Sequence, residues 1–260
     1  MRILSTDLGA PRGVVAFSTC RDAGDALCGA YAGFNVCHYT GDSATHVSEC
    51  RDALCLELGI GRERLVIPRQ THSDRVAVID RVPVADGDLD GIDALVTALP
   101  RVALCINTAD CVPLMLADAQ AGVVAAVHAG WRGVLSAIVS RTVEAMVSLG
   151  ADAGRIEAMM GPCICGRCFE VGPEVAQRFS AAYPGAAGVV LDGYAKPHVD
   201  LAEALVLTLR EHGVTSVRRP PACTHCRPDT YFSARRLGVD SGRMLTVIMA
   251  GEEAFGEMRR

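Results

Sequence analysis

The sequence predicts a single α/β domain of three layers with a mixed sheet, and three observations support this fold class. Half of the 260 residues are hydrophobic, which is enough for a large core. Several apolar runs of strand length are continuous rather than alternating, as expected for strands that are covered on both faces. Helical patterns fall between the strands without the regular alternation of a doubly wound fold. We therefore predict one domain over residues 1–260.

The first hundred residues supply short strands and one helix. Residues 43–58 have a helical pattern, with Asp42 or Ser43 as the N-cap and Gly59 as the stop signal. Strand-like apolar runs are predicted before and after this helix, at residues 13–19, 65–67, 75–79, 92–97 and 102–106.

A predicted hairpin organises the middle of the chain. Residues 112–117 and 123–127 are two apolar runs, and the Asp-Ala-Gln-Ala-Gly segment between them has the form of a hairpin loop. Pairing about a tip at residues 119–120 would place Cys111 opposite His128, with Cβ atoms about 4.5–5.5 Å apart. A slip of one residue would put the two side chains on opposite faces. The hairpin is therefore predicted to bring a thiol and an imidazole together.

The rest of the chain alternates between helices and strands. Residues 134–149 are predicted to form an amphipathic helix that ends at Gly150 and begins beside His128. Its free N–H groups and Arg132 would favour an anion there. The remaining predicted elements are a strand at 156–160, helices at 173–182 and 199–212, and strands at 214–217 and 244–249.

Composition excludes several classes of function. The net charge is -5 and no run of Lys and Arg exceeds two residues, which argues against a nucleic-acid-binding surface. We see no signal-peptide core and no apolar run long enough to span a bilayer, so no membrane association and a cytoplasmic location are predicted. Most of the 12 cysteines are predicted to be reduced and buried, because they are scattered through a chain with an abundant aliphatic core.

Three residues far apart in sequence form a candidate metal site. A thiolate at Cys111 and imidazoles at His72 and His128 are ligands that suit Zn²⁺, and three protein ligands leave one position open. Wide spacing is typical of catalytic zinc sites, whereas structural sites use tight local pairs. From spacing alone, a buried cysteine near two hydrogen-bonded histidines is the default interpretation.

A second group of cysteines gives a weaker signal. Cys163, Cys165 and Cys168 form an irregular triplet, and Cys223 and Cys226 form a C-x-x-C pair. Whether these five cysteines bind a second metal stays open. Arg235 and Arg236 could bind an anion, although a solvated pair of surface charges is the default interpretation.

Several motifs together resemble one known family, the YfiH-type proteins, which were formerly described as multicopper polyphenol oxidoreductases (laccases) and are now described as purine nucleoside phosphorylases. The resemblance covers nearly the whole chain. The motifs are Pro-Arg-Gln-Thr-His at 68–72, Asp-Ala-Leu-Val-Thr at 93–97, Thr-Ala-Asp-Cys-Val-Pro-Leu at 108–114, Val-His-Ala-Gly-Trp-Arg-Gly at 127–133, Gly-Pro at 161–162, Phe-Glu-Val-Gly at 169–172, Tyr-Phe-Ser-Ala-Arg-Arg at 231–236 and Gly-Arg-Met at 242–244.

The resemblance implies a fold, a site and an activity. It implies an α/β/β/α architecture similar to the catalytic domain of cytotoxic necrotising factor, with zinc, or alternatively copper, bound by His72, Cys111 and His128. It implies phosphorolysis of adenosine, inosine and methylthioadenosine, with adenosine deamination as a second activity. Purine nucleoside and phosphate are thus the expected partners, and whether the chain is a monomer or a dimer stays open. The candidate substrate contacts are His38, Arg69 and Arg132.

Three other functions stay open. A multicopper oxidase needs many imidazoles, usually in His-x-His pairs, and this chain has 7 histidines and no such pair. A metal-free amidase that edits peptidoglycan precursors could use Cys111 as nucleophile and His128 as base. A purine-binding module would bind its ligand without forming product.

Overall fold

The computed structural model describes residues 3–21, 29–85 and 87–252. Its helices are α1 Ala44–Leu58, α2 Trp131–Leu135, α3 Ile138–Ser148, α4 Pro173–Ala182, α5 Leu201–Glu211 and α6 Ala234–Leu237. Its strands are β1 Ser5–Asp7, β2 Val14–Thr19, β3 Leu65–Val66, β4 Val76–Ile79, β5 Ala94–Thr97, β6 Ala103–Thr108, β7 Val112–Asp118, β8 Val123–Ala129, β9 Glu157–Met160, β10 Val190–Leu191, β11 His198–Val199, β12 Ser216–Arg218 and β13 Met244–Ala250.

The strands form two large mixed sheets. The first sheet has the order β1-β2-β13-β6-β3, and the second has the order β12-β9-β7-β8-β5-β4. Both contain parallel and antiparallel pairs, since β3 runs parallel to β6 and β4 runs parallel to β5. Strands β10 and β11 form a separate small antiparallel pair.

Three apolar clusters stack the elements into α/β/β/α layers. One cluster lies between the two sheets and includes Leu104 and Ile106 of β6 with Met115 of β7. A second lies between the first sheet and α1, and a third lies between the second sheet and α3, α4 and α5. Strands β6, β7 and β8 are buried along their whole length. The predicted α/β fold with mixed sheets is therefore confirmed, while the likeness to cytotoxic necrotising factor stays a prediction.

Helices with clear capping signals were predicted closely. Helix α1 begins after Ser43, whose side chain accepts the N–H of His46, and it ends at Gly59 in the left-handed region with φ +62°. Helix α4 spans the predicted residues 173–182, with Pro173 in its first turn.

The predicted helix at 134–149 is wrong as a single helix. The chain forms α2 from Trp131, passes through the left-handed region at Ala137 with φ +65°, and then forms α3 from Ile138. Apolar periodicity continues across this break because both helices face the same core. The pattern therefore hides the break in the backbone.

The predicted hairpin register is wrong by two residues. Asp118 pairs with Val123 and Pro113 pairs with His128, so Cys111 does not lie directly opposite His128. The Asp118 carboxylate accepts the N–H groups of Gln120 and Ala121, which lengthens the turn to residues 119–122. A shift of two keeps every side chain on its predicted face, so the two reactive groups still share one side of the sheet.

No helix in the described ranges is both long enough and apolar enough to cross a bilayer.

Candidate active site

The candidate site lies where the chain crosses between the two large sheets. His72 follows β3 of the first sheet and precedes β4 of the second, while Cys111 lies in the crossing from β6 to β7. His128 lies near the end of β8 and completes the site. Two crossings and one strand end thus bring together residues that are far apart in sequence.

The buried carboxylate of Asp93 holds the loop that carries His72. Its oxygens accept the main-chain N–H groups of Thr71, His72 and Ser73 at 2.9–3.0 Å. His72 has φ +62°, a left-handed conformation that few residues other than glycine adopt. Three hydrogen bonds to a single carboxylate offset the strain of this conformation. Asp93 therefore fixes the main chain from which His72 projects.

Asp93 also orients the second imidazole. His128 Nδ1 lies 2.7 Å from Asp93 Oδ1, and the His128 side chain is only 4% exposed. An ionised carboxylate only accepts hydrogen bonds, so Nδ1 carries the proton and Nε2 is the ligand atom. One aspartate thus positions both histidines of the candidate metal site.

Asp110 fixes the main chain beside Cys111. Its backbone is left-handed with φ +93°. Its carboxylate accepts the hydroxyls of Thr224 and Ser233 and the main-chain N–H of Arg235 at 2.6–3.0 Å. The loop that carries Cys111 is therefore held by segments from the C-terminal third of the chain.

The ligand atoms of His72, Cys111 and His128 fit one zinc ion. They all lie within 4.8 Å of one another, and Cys111 Sγ is 3.7 Å from His72 Nε2. Ligand atoms around a tetrahedral zinc lie about 3.3–3.7 Å apart. A thiolate with two imidazoles is also a donor set that zinc prefers. The residues thus suit a three-ligand metal site with one open position.

Electrostatics prepare the thiol as a ligand. Burial acts to raise the pKa of Cys111, but the His128 imidazolium and hydrogen bonds from both imidazoles lower this pKa to about 6. Burial opposes the charge on Asp93 as well, yet His128 and the main-chain N–H groups lower its pKa to about 2. The pKa of His128 is raised, because the adjacent Cys111 and Asp93 charges outweigh burial. Cys111 and His128 therefore favour a thiolate beside an imidazolium. A metal ion that binds His128 Nε2 would displace the proton from that atom.

Gly130 leaves the space that the ligands occupy. A Cβ atom at this position would lie 2.8 Å from His72 Cδ2 and 3.2 Å from Cys111 Sγ. The backbone of Gly130 has φ -78°, which any residue adopts. Glycine is thus needed here for space and not for backbone freedom.

Replacing Gly130 with alanine is expected to lower zinc affinity by at least about 10-fold, because the new methyl group displaces His72 or Cys111. Competition with a chromophoric chelator measures this affinity. Gly154→Ala is the matched control, since its nearest contact would be the Asp152 carboxylate at 3.3 Å. Equal zinc affinity in the two variants would show that zinc binding does not need the space beside Gly130.

The trio lies in a pocket of about 400 Å³, a size typical of small-molecule sites. The side-chain amide of Asn107 and the hydroxyl of Thr108 are buried and form no hydrogen bond of standard geometry with the described residues. Buried polar groups of this kind are suited to recognise a polar ligand. The other lining residues are Tyr39, Gln70, Ala109, Asp110, Ile164, Phe169, Ala234, Arg235, Val239 and Arg243.

Two arginines give this pocket a positive wall. Arg235 lies over the ring of Phe169 at 5.5 Å and donates to the main-chain carbonyl of Glu170. Arg243 is held by the carbonyls of Val239, Ser241 and Gly242. Fixed guanidinium groups beside a metal site favour an anionic ligand.

The predicted substrate contacts lie elsewhere. His38 and Arg69 line a separate pocket, where His38 Nδ1 is 2.8 Å from Arg51. Arg132 is exposed, and its guanidinium lies 4.8 Å above the Trp131 ring. The structure does not bring these three residues into the pocket that holds the trio. Their roles in substrate binding stay predictions.

Sequence comparison identifies the family. The sequence model described as "Multi-copper polyphenol oxidoreductase laccase" matches residues 15–251. The chain belongs to this family. The solved structures that it resembles include a Neisseria meningitidis DUF152 protein, with a TM-score of 0.84, 32% identity and coverage of 96% of this chain and 100% of that one. They also include YlmD of Geobacillus stearothermophilus, with a TM-score of 0.85, 28% identity and coverage of 95% and 96%.

Other members of the family carry the names of enzymes. A protein named adenosine deaminase RL5, from an unknown prokaryotic organism, is 45% identical over 91% of this chain and 94% of its own length. A protein of Deinococcus radiodurans named purine nucleoside phosphorylase is 41% identical over 93% of this chain and 91% of its own length. The predicted membership of the YfiH-type family and the prediction of an enzyme are both confirmed.

Proposed function

We propose that the chain is a zinc-dependent purine nucleoside phosphorylase with adenosine deaminase activity. The supporting observation is the His72, Cys111 and His128 trio inside a pocket with polar and cationic walls. Relatives named for both reactions share more than 40% identity with the chain over most of its length. A zinc ion held by the trio would supply a Lewis acid with one open coordination position.

The nucleobase is assigned to the inner part of the pocket. Asn107 offers a buried donor and a buried acceptor, which match the edge of a purine. Gln70 fixes this residue through two hydrogen bonds of 2.8 Å to its main chain. The half-buried rings of Tyr39 and Phe169 add flat apolar walls for the base and ribose.

Phosphate is assigned to the cationic wall. Arg235 is the better candidate for a direct contact, because its side chain is exposed and, among the described residues, its guanidinium donates to a single main-chain carbonyl, that of Glu170. Arg243 adds a fixed positive charge to the lining of the same pocket. The arginines would hold phosphate against the anomeric carbon and stabilise its charge as the base leaves.

Replacing Arg235 with methionine is expected to raise the KM for phosphate by about 10-fold or more, because a charge-assisted hydrogen bond is lost. Deamination of adenosine needs no phosphate and should keep its rate. Arg236→Met is the matched control, since Arg236 lies on the same helix and contacts the His225 carbonyl outside the pocket. An unchanged phosphate KM in Arg235→Met, or equal changes in both variants, would remove Arg235 from the phosphate site.

Product analysis tests the proposed activity. Purified protein is incubated with adenosine in the presence and absence of phosphate, and the products are separated by chromatography. We expect adenine and ribose 1-phosphate only when phosphate is present, and inosine in both reactions. Absence of all three products from protein that retains zinc would contradict the proposal.

A metal-free amidase is the second candidate. Asp93 Oδ1 lies 2.7 Å from His128 Nδ1, and the ligand atoms of His128 and Cys111 lie within 4.8 Å of each other, an order that resembles a cysteine nucleophile with its base and orienting acid. Such an enzyme would cleave an amide, such as one in a peptidoglycan precursor, and would keep its activity after chelation. Zinc dependence therefore separates the two candidates.

A copper-dependent polyphenol oxidase is less well supported, despite the family description. In the described ranges, the groups of at least three potential ligands are the trio and one set of four cysteines. The trio offers only two imidazoles, whereas a multicopper centre requires many. A single copper ion could still replace zinc in the trio, and metal analysis of the purified protein distinguishes the two ions.

A further inference from the structure

Four cysteines outside the catalytic pocket form a second cluster, which we name the C4 cluster. Its members are Cys165, Cys168, Cys223 and Cys226. We propose that the C4 cluster binds a structural zinc ion, separate from the metal of the catalytic trio.

The sulfur positions fit one tetrahedral ion. All four Sγ atoms lie within 4.8 Å of one another, and Sγ of Cys168 is 3.5 Å from Sγ of Cys226. Zinc–sulfur bonds of about 2.3 Å place the sulfur atoms of a tetrahedral site about 3.8 Å apart. Small movements of the side chains would therefore complete the coordination sphere.

The spacing of the ligands is that of a structural zinc site. Cys165-Gly-Arg-Cys168 and Cys223-Thr-His-Cys226 are both C-x-x-C pairs. Cys163 precedes the first pair by two residues and does not belong to the cluster. Cys163 instead lies buried next to the cluster, where its main chain pairs with that of Cys223. The sequence thus contains a stronger signal than the irregular triplet indicated.

Hydrogen bonds to sulfur and nearby cations support a thiolate cluster. The main-chain N–H of Cys165 donates to Cys223 Sγ at 3.3 Å. Zinc with four thiolates carries a net charge of about -2. Arg167 lies within the first C-x-x-C pair, and Arg227 directly follows the second pair. These cations can balance the negative charge of the site.

The C4 cluster joins two loops that both contact Asp110, a residue that lines the catalytic pocket. One loop follows β9 and carries the pocket residues Ile164 and Phe169, and the other follows β12 and carries Thr224. Thr224 donates to the Asp110 carboxylate at 2.6 Å, and the N–H of Ile164 donates to the Asp110 carbonyl at 2.9 Å. A zinc ion at the C4 cluster would therefore stabilise the backbone immediately before Cys111.

Metal counting tests the proposal in the full chain. Protein is purified with a reductant and equilibrated with Zn²⁺, and bound zinc per chain is then measured after removal of free metal. We expect Cys226→Ser and Cys168→Ser each to lose about one equivalent relative to the wild type. Cys163→Ala is the matched control and should lose none. Cys111→Ser should lose the other equivalent.

The test of the C4 cluster does not depend on whether the trio binds zinc. If the trio binds no zinc, the wild type will hold one equivalent, which Cys226→Ser removes and Cys111→Ser does not. Unchanged zinc in Cys226→Ser and Cys168→Ser would overturn the proposal. Detection of disulfides among the four cysteines in protein purified without reductant, together with no zinc uptake after reduction, would also overturn it.

Two further measurements test the proposal even if the serine variants fail to fold. Co²⁺ bound to wild-type protein should show the sulfur-to-metal charge-transfer absorption of a four-thiolate tetrahedral site, in addition to any signal from the trio. Cys226→His keeps a zinc ligand and should retain the second equivalent. Absence of the four-thiolate signal in the wild type would contradict the assignment.

Discussion

Replacing Cys111 with serine is expected to remove one equivalent of zinc and to lower kcat/KM for adenosine by at least about 100-fold in both proposed reactions. The thiolate is the only charged ligand of the trio, and its pKa is already lowered by His128 and His72. A serine hydroxyl is a weaker ligand for Zn²⁺. Metal content and kcat/KM should be measured on the same preparation.

Cys55→Ala is the control for this substitution, because Cys55 is also largely buried but lies on α1, outside both metal-ligand groups. It should leave zinc content and turnover unchanged. A Cys111→Ser enzyme that kept its zinc and its nucleoside turnover would contradict the assignment. Retained zinc with lost turnover would favour a role for Cys111 as nucleophile.

Replacing Asp93 with asparagine is expected to affect both zinc affinity and stability. Removal of a carboxylate that orients a metal-bound imidazole lowers metal affinity by about 10–100-fold. Asp93 also accepts three main-chain N–H groups around His72, whose φ is +62°. The amide of asparagine offers one accepting atom in place of two. We therefore expect the free energy of unfolding to fall by about 2–4 kcal/mol.

Chelator competition gives the zinc affinity, and urea unfolding of the zinc-free proteins gives the stability. Asp80→Asn is the control, because Asp80 is exposed on the loop after β4. It should change neither quantity measurably. An Asp93→Asn protein with wild-type stability would show that the carboxylate does not maintain the loop conformation.

Local signals predicted much of the fold. Helix α1 was predicted from its cap at Ser43 and its stop at Gly59, and the long buried strands β6, β7 and β8 from their continuous apolar runs. The hairpin register depended on two hydrogen bonds to the Asp118 carboxylate, which spacing did not show. The break at Ala137 has no glycine or proline to mark it.

The site was predicted only in part, because sequence motifs identify reactive side chains better than the groups that support them. His72, Cys111 and His128 do lie together. Asp93 lies in one of the quoted motifs, but its contacts with both histidines follow from the packing of distant segments. Asn107 and Arg243 enter the pocket through the same tertiary arrangement. Both C-x-x-C pairs of the C4 cluster are visible in the sequence, but Cys163, two residues before Cys165, made the first pair look like part of an irregular triplet.

We propose that zinc bound by the trio is required for nucleoside turnover. The most direct test is one assay of adenosine plus phosphate on a single preparation, before chelation, after chelation and after zinc is restored, with bound metal quantified each time. We expect adenine and inosine to disappear as zinc leaves the trio and to return when zinc is restored. Unchanged formation of both products in protein from which all zinc has been removed would contradict this requirement for zinc.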